Sequence, residues 1–288
     1  MNPNIDSFYV TLPSNVKSQN NNKQSDFETA LATKLRLDSS FKVALSEISY
    51  TRSWYNVPEG ECLFLLVEGP TDHSKTIQIN LKQPIAGGNY GTITDLLGHL
   101  NDSLGLLQIE NNLTNCLLPK LVEITRLKRI VMWLGRLTIE KKEYLLSLKF
   151  SNNLREMLGF SDDKDVNPTI IDSCKAYFNQ SDVETHKKHI VAKYPYELKG
   201  GFHSLFVYTD LIKPSIVGDT IAPLLRVVDV PESSVFSEQV SITYDQPMYF
   251  SLRNDEIDSI QVEIKDDSGN LVPFLFGRTI LTLHFVKL

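Results

Sequence analysis

The final third of the chain is a cadence of short apolar segments with regular interruptions, and few folds accept it. SLFVYT (204–209), LLRVVDV (224–230), SITY (241–244), IQVEIK (260–265) and TILTLHFV (279–286) are separated by clusters of Gly, Pro, Asp and Asn. Runs this short, rich in β-branched and aromatic residues and bounded by turn formers, are strands. Their spacing predicts a packed antiparallel β domain, either a sandwich or a barrel. In IQVEIK, Ile260, Val262 and Ile264 fall on one face and Gln261, Glu263 and Lys265 on the other, the period of a strand with one wet side. Apolar residues occupy both faces of 204–209, so that strand is expected beneath a second sheet or a neighbouring subunit. Asp266-Asp267-Ser268-Gly269-Asn270 is a hairpin turn leading into a further apolar arm, LVPFLF (271–276). There Pro273 must stand at an edge or a bulge, having no N–H to donate.

Upstream the texture varies. A short strand at 8–12 is followed by a polar run at 14–25, rich in Asn, Gln and Lys, that reads as a mobile loop. Segment 26–37 fits helix or strand, and the alternation of Phe27, Thr29, Leu31, Thr33, Leu35 and Leu37 favours strand. Further strands are expected at 41–50, 62–67 and 76–81. Thr92 is placed to cap a helix to about Leu104, with Ile93, Leu96, Leu97, Leu100 and Leu104 at helical spacing. Strands at 121–125, 130–133 and 144–150 and a short helix stopped by Gly159 complete a small α+β unit. The expected organisation is all-β, with a discontinuous core of residues 1–85 plus 166–288 and an α+β insertion at 86–165.

At 288 residues the chain is long enough to bury a substantial core. A net charge of −6 argues against a general nucleic-acid binder. No apolar run approaches the ~20 residues that span a bilayer, and MNPNIDSFYV lacks the basic start and apolar core of a secretory leader. Cys62, Cys116 and Cys174 are odd in number and far apart, and are expected as reduced thiols. Asn101, Asn112 and Asn179 begin N-x-[ST] triplets that, without a leader, are expected to be chance.

Chemistry is hard to find. His186 and His189 share a face only on a helix, and with His203 they lack further ligands for a metal, so loop histidines are the simpler reading. Asp210, Asp219, Asp229 and Asp245 lie near strand ends, where they suit turns as well as a paired-carboxylate enzyme or a Ca²⁺ site. There is no G-x-S-x-G elbow, P-loop or dinucleotide fingerprint. We therefore assign no catalytic, cofactor or metal residue. One charge feature stands out: residues 120–142 hold Lys120, Arg126, Lys128, Arg129, Arg136, Lys141 and Lys142 against Glu123 and Glu140. A solvated hairpin surface or a weak contact with packaged DNA would each account for it.

The phrases Phe8-Tyr9-Val10, Ser25-Asp26-Phe27, 41–50 (FKVALSEISY) and Ser53-Trp54-Tyr55-Asn56 resemble the start of the penton-type minor capsid proteins of Polinton (Maverick) elements and adintoviruses. Phe150-Ser151 and Leu158-Gly159-Phe160 are similar too. So, most specifically, are Phe202, 205–210 (LFVYTD), 217–220 (VGDT), 223–228 (PLLRVV), 264–269 (IKDDSG) and Leu283-His284-Phe285. Thr209 stands where many members of the family carry a cysteine. The resemblance implies a single jelly-roll β-sandwich assembling as a homopentamer at the five-fold vertices of an icosahedral virion built inside the host cell. Its partner would be a double jelly-roll major capsid protein, as in virophages, with no enzymatic activity. The insertion would be an outward tower or a contact with neighbouring capsomers. Two other readings compete. A jelly-roll receptor- or glycan-binding protein would place Trp54, Tyr55 and Tyr90 at a ligand. A β-sandwich or cupin-type enzyme would use the carboxylates or His186 and His189.

Overall fold

The computed structural model describes residues 6–16, 22–68, 79–161, 188–200, 203–231 and 233–287. It divides into two units, Met1–Trp54 with Phe202–Leu288, and Tyr55–Gly201. In chain order, the first unit opens with β1 (Ser7–Pro13), β2 (Asp26–Arg36) and β3 (Phe41–Thr51). The second contains β4 (Cys62–Glu68), β5 (Ile79–Pro84), α1 (Ile93–Glu110), β6 (Cys116–Leu117), β7 (Lys120–Ile124), β8 (Arg129–Trp133), β9 (Gly135–Ile139), β10 (Lys142–Phe150), α2 (Asn152–Met157) and β11 (His189–Val191). The first unit then resumes with β12 (Ser204–Thr209), β13 (Ser215–Val217), β14 (Thr220–Ala222), β15 (Leu224–Asp229), β16 (Gln239–Thr243), β17 (Phe250–Ser251), β18 (Glu256–Lys265) and β19 (Thr279–Lys287).

The first unit is a jelly roll, and its strand order establishes this. One sheet runs β1-β19-β3-β16, with β17 continuing the β16 edge along β3; the other runs β15-β12-β18-β2. Every pairing is antiparallel. Counted in chain order within the sandwich, the sheets read 1-8-3-6 and 2-7-4-5, the interlocked Greek keys of this fold. Inward residues alternate as a two-residue period requires. Leu205 and Val207 of β12, Ile260, Val262 and Ile264 of β18, and Leu281, Leu283 and Phe285 of β19 are all fully buried in one core. On the outer face of β12, Phe206 and Tyr208 are half-buried, and the Lys265 ammonium lies 5.3 Å from the Tyr208 ring.

Bulges explain where alternation changes phase. In β3 an extra residue at Ser46 separates buried Val43 and Leu45 from buried Ile48 and Tyr50. In β2 the register jumps from Ala30 to Leu35 opposite Ser259 and Ile257, which leaves Thr33 exposed. The apolar run 271–276 differs from its expectation. After a single bridge between Lys265 and Leu271 it leaves the ladder as a loop, and the next strand begins at Thr279. Its Phe274 packs edge-on against Trp54 (5.6 Å) and Tyr50 (6.3 Å). The turn before it is as expected, with Gly269 at φ 83° and Asp266 Oδ1 accepting from the N–H groups of Ser268 and Asn270. Of the polar run 14–25, residues 17–21 lie outside the described residues. Its ends are tied down, because Ser14 Oγ accepts from Thr279 N at 3.0 Å and Ser25 O accepts from Ile264 N at 2.7 Å.

The second unit begins at Tyr55 and so takes in more chain than the change of texture at residue 86 suggests. Strands β4 and β5, expected in the jelly-roll core, pair with each other, and β4 pairs with β10, in a sheet of order β5-β4-β10-β9-β6. The expected boundary at 166 lies outside the described residues. Helix α1 has the expected cap: Thr92 Oγ1 accepts from Asp95 N, and the Asp95 carboxylate accepts from Thr92 N. It runs on to Glu110, burying Leu107 as well as the five expected apolar residues. Glu61, buried, holds the start of α2 by accepting from Leu154 N, Asn153 Nδ2 and Ser151 Oγ.

The chain's two tryptophans report on different units, Trp54 from the sandwich core and Trp133 from a small cluster with Ile124 and Val131. Phe285 is fully buried and stacked on Phe8 at 5.0 Å. Phe285→Ala is expected to cost the sandwich about 3–5 kcal/mol. Denaturant titration should show the Trp54 transition, read in a Trp133→Phe background, moving to lower denaturant by that amount. An unmoved midpoint would contradict the assigned core.

Candidate functional site

The residues with chemical potential are mostly engaged in holding the fold. Asp210, at the exposed end of β12, accepts from Gln261 N at 3.0 Å, and partial burial raises its carboxyl above the ordinary carboxylate range. It lines a shallow depression of about 200 Å³ with Glu256 and Asp258. Both of those carboxylates are strapped by cations projected from β2: Lys34 lies 2.6 Å from Glu256 and 3.5 Å from Asp258, and Arg36 lies 3.3 Å from Glu256. Asp229 accepts from Ser204 Oγ at 3.3 Å, and Asp219 and Asp245 occupy turns. Among the described residues no group of three or more His, Cys, Asp or Glu side chains is arranged to hold a metal ion.

His186 lies outside the described residues, and His203 is exposed. His189 is not a loop histidine as expected. It is buried in β11 opposite Trp133, ring centroids 4.8 Å apart, and burial lowers its pKa. Cys62 and Cys116 are free thiols, and Cys174 lies outside the described residues. Asn101 is structural: its side chain exchanges two hydrogen bonds with the backbone of Leu121, pinning α1 to β7.

The aromatic residues suspected at a ligand are built into their units. Trp54 is fully buried in the sandwich core. Tyr90 exchanges backbone hydrogen bonds with the Asn56 side chain and donates its hydroxyl to Ala86 O at 3.0 Å. Tyr55 is half-buried. An exposed aromatic group lies elsewhere. Tyr9 of edge strand β1 stacks on His284 (4.4 Å), whose Nδ1 is 2.7 Å from the Tyr249 hydroxyl. Cross-strand pairing of Tyr9 with His284 creates it, and the two phrases that contain them are far apart in sequence.

The basic stretch is divided between two hairpins of two sheets. Lys120, Arg126, Lys128 and Arg129 belong to β7–β8, in the three-stranded sheet β11-β8-β7, with Glu123 accepting from the Tyr196 hydroxyl at 2.8 Å. Arg136, Lys141 and Lys142 belong to β9–β10, where Arg136 pairs with Glu143 at 3.1 Å, just beyond the stretch as counted. Only the first hairpin keeps a clear positive excess.

Two features of the sandwich lie outside its two sheets. The first is the β13–β14 hairpin in the connection between β12 and β15. Ile216 and Ile221 are cross-strand partners and are 82% and 73% exposed. Gly218 at φ 60°, followed by Asp219 at negative φ, makes a two-residue turn of the II′ kind. The base is fixed: Ile212 bridges Leu252, Lys213 N donates to Ser251 O, and Thr209 N donates to Pro223 O. The second is a groove of about 460 Å³ between Lys23-Gln24-Ser25 and the loop 271–277. The loop is irregular but fixed. Leu275 N donates to Ser53 O at 3.0 Å, Ser53 Oγ donates to Phe276 O at 2.6 Å, and Gly277, at φ 99°, lies where any Cβ would strike the Thr51 side chain. Leu271, Leu275 and Phe276 remain substantially exposed beside it.

No protein-family model and no curated protein matches the chain. Among solved structures it is similar to the mavirus penton protein, with 10% sequence identity and a TM-score of 0.49 over 98% of this chain and 100% of that one. A comparison with the D2–D3 domains of the flagellar cap protein FliD from Escherichia coli gives 9% identity and a TM-score of 0.11, over 96% and 98% of the two chains. The fold assignment rests on the strand order, not on either likeness.

Burial of His189 has a consequence for stability. The folded unit takes up a proton at this ring less readily than the unfolded chain, whose ordinary value is 6.5. Its stabilising contribution is therefore intact above pH 6.5 and is lost as pH falls below that value towards the lowered folded one. Thermal melts followed by Trp133 should show stability declining below about pH 6.5. His189→Phe should flatten that decline, and an equal decline in the variant would reject the assignment.

Proposed function

We propose that the chain is a structural minor capsid protein, a penton, five copies of which close the five-fold vertex of an icosahedral virion. The observation that carries this reading is where the penton-like phrases fall. Phe8-Tyr9-Val10 lies on β1, 41–50 on β3, 205–209 on β12, 224–228 on β15, Ile264-Lys265 on β18 and Leu283-His284-Phe285 on β19. The resemblance thus follows the framework of the jelly roll, in order, from its first strand to its last.

The partners under this reading are further copies of the chain and a double jelly-roll major capsid protein, and the location is the virion, assembled inside the host cell. Contact with packaged DNA is proposed only for the β7–β8 hairpin, where Lys120, Arg126, Lys128 and Arg129 gather. Of the residues suspected in the glycan-binding alternative, Trp54 has no exposed surface, while Tyr55 and Tyr90 are half-buried.

A vertex protein has a heterologous, head-to-tail interface that closes by rotation. Light scattering coupled to size exclusion should give the mass of five chains of 32.7 kDa each. A stable trimer would overturn the vertex reading in favour of receptor binding. Imaging of particles formed by co-expression with a double jelly-roll major capsid protein should place the chain at the five-fold vertices and nowhere else.

A further inference from the structure

We propose that the β13–β14 hairpin of one copy seats in the groove between 23–25 and 271–277 of a second copy of this chain. The proposal rests on the vertex reading for closure of these contacts into a ring, while the contact itself rests on four properties of the sandwich.

The first is apolar content. Ile216 and Ile221 stand side by side on one face of a two-stranded hairpin whose pairing involves no third strand. Such a hairpin is marginal by itself, yet its base is anchored and prolines at 214 and 223 flank it. It is therefore presented in a fixed conformation, which reduces the ordering cost of docking. The second is the hole. The groove is lined by Leu271, Val272, Phe274, Leu275 and Phe276, and its volume of about 460 Å³ is enough for both isoleucine side chains. The third is charge. Among the described residues Lys23 is the only charged one lining the groove, and Asp219 at the turn is the only one between 214 and 223. Seating the hairpin brings opposite charges to the same mouth.

The fourth is position. Val262, paired with Thr209 at the end of β12, is followed along β18 by Lys265, paired with Phe206, so the two strands run in opposite directions. The hairpin leaves the end of β12 and is anchored near Leu252, beyond the start of β18. The groove lies beyond the end of β18 and before the start of β2. One arm of the plug is anchored at Ser251 and Leu252, before β18, and the other at Thr209, level with Val262, whereas the hole lies past Lys265. Within one copy the hairpin does not fill the groove, since Ile216 and Ile221 stay exposed and neither lines it, so the contact is assigned between copies. Unlike surfaces meeting in this way give a heterologous interface.

The test uses the full chain. The double variant Ile216→Asp/Ile221→Asp alters only exposed side chains, so its circular dichroism should match the wild type. Burying two carboxylates in a groove lined mainly by apolar residues costs more than their attraction to Lys23 returns and should raise the concentration for half-assembly by about tenfold or more. A second measurement reads the contact directly. With Cys62, Cys116 and Cys174 replaced by Ser, protein carrying Ile216→Cys is mixed with protein carrying Leu275→Cys under mild oxidation. A disulfide joining the two different variants, abundant only in the mixture, is expected. If the wild type assembles but the Asp variant assembles equally well and no mixed disulfide forms, the hairpin contact is wrong and the vertex reading stands. A wild type that stays monomeric at every concentration also overturns the contact, and particle imaging then decides the vertex reading separately.

Discussion

The sandwich depends on β19 lying between β1 and β3. The last strand of the fold pairs along its length with the first, from Ser7 opposite Val286 to Pro13 opposite Ile280, and on its other side with β3. Its inward residues Thr279, Leu281, Leu283 and Phe285 are all without exposed surface. Neither β1 nor β3 can bury its inner face in this sheet until the C-terminal strand arrives. The sandwich is thus built on contacts of great sequence separation, the condition that slows folding. It also explains why a whole second unit is tolerated between β3 and β12. Loop-closure cost rises only slowly with length, and an insertion with its own core contributes its own stability.

Pattern and partner were unequally legible. Alternation revealed the inward face of β18, and spacing with Thr92 revealed α1, because both are local periodicities, whereas β12, apolar on both faces, showed no such preference. The phase changes at Ser46 and between Ala30 and Leu35 were not legible, since a bulge is set by the neighbouring strand as well as by its own residues. The pairing of β4 with β10 was hidden for a related reason: alternation says which face is buried but not against which strand. LVPFLF misleads because its apolar residues serve packing without a ladder. Pro273 breaks the hydrogen-bond row while Phe274 fills the space beside Trp54 and Tyr50.

The charged residues show the same limit in another form. Counting basic side chains from 120 to 142 finds an excess, but folding sends them to two sheets and sets Glu143 against Arg136. Asp210, a candidate by sequence, shares its depression with Glu256 and Asp258, and β2 delivers Lys34 and Arg36 to Glu256, and Lys34 to Asp258 as well. At the surface such pairs contribute little to stability. Their presence nevertheless means that the acidic depression beside Asp210 is already neutralised in part, which makes it a poor site for a cation.

What the sandwich leaves uncovered is then more informative than what it buries. Scattered apolar residues are normal on a surface, but here they occur as a paired projection and a separate rimmed depression. Both are held by hydrogen bonds within the chain. The three bonds between Ser53 and residues 275–276 give the loop 271–277 the rigidity of a strand without extending a sheet. A flexible loop carrying Leu275 and Phe276 would tend to fold them inward, whereas this one keeps them at the mouth of a groove. Fixing apolar side chains outward is unfavourable for a solitary chain in water, so selection for it implies a surface that covers them. A chain that carries both a plug and a matching hole, neither filling the other within one copy, has that surface available on its own next copy.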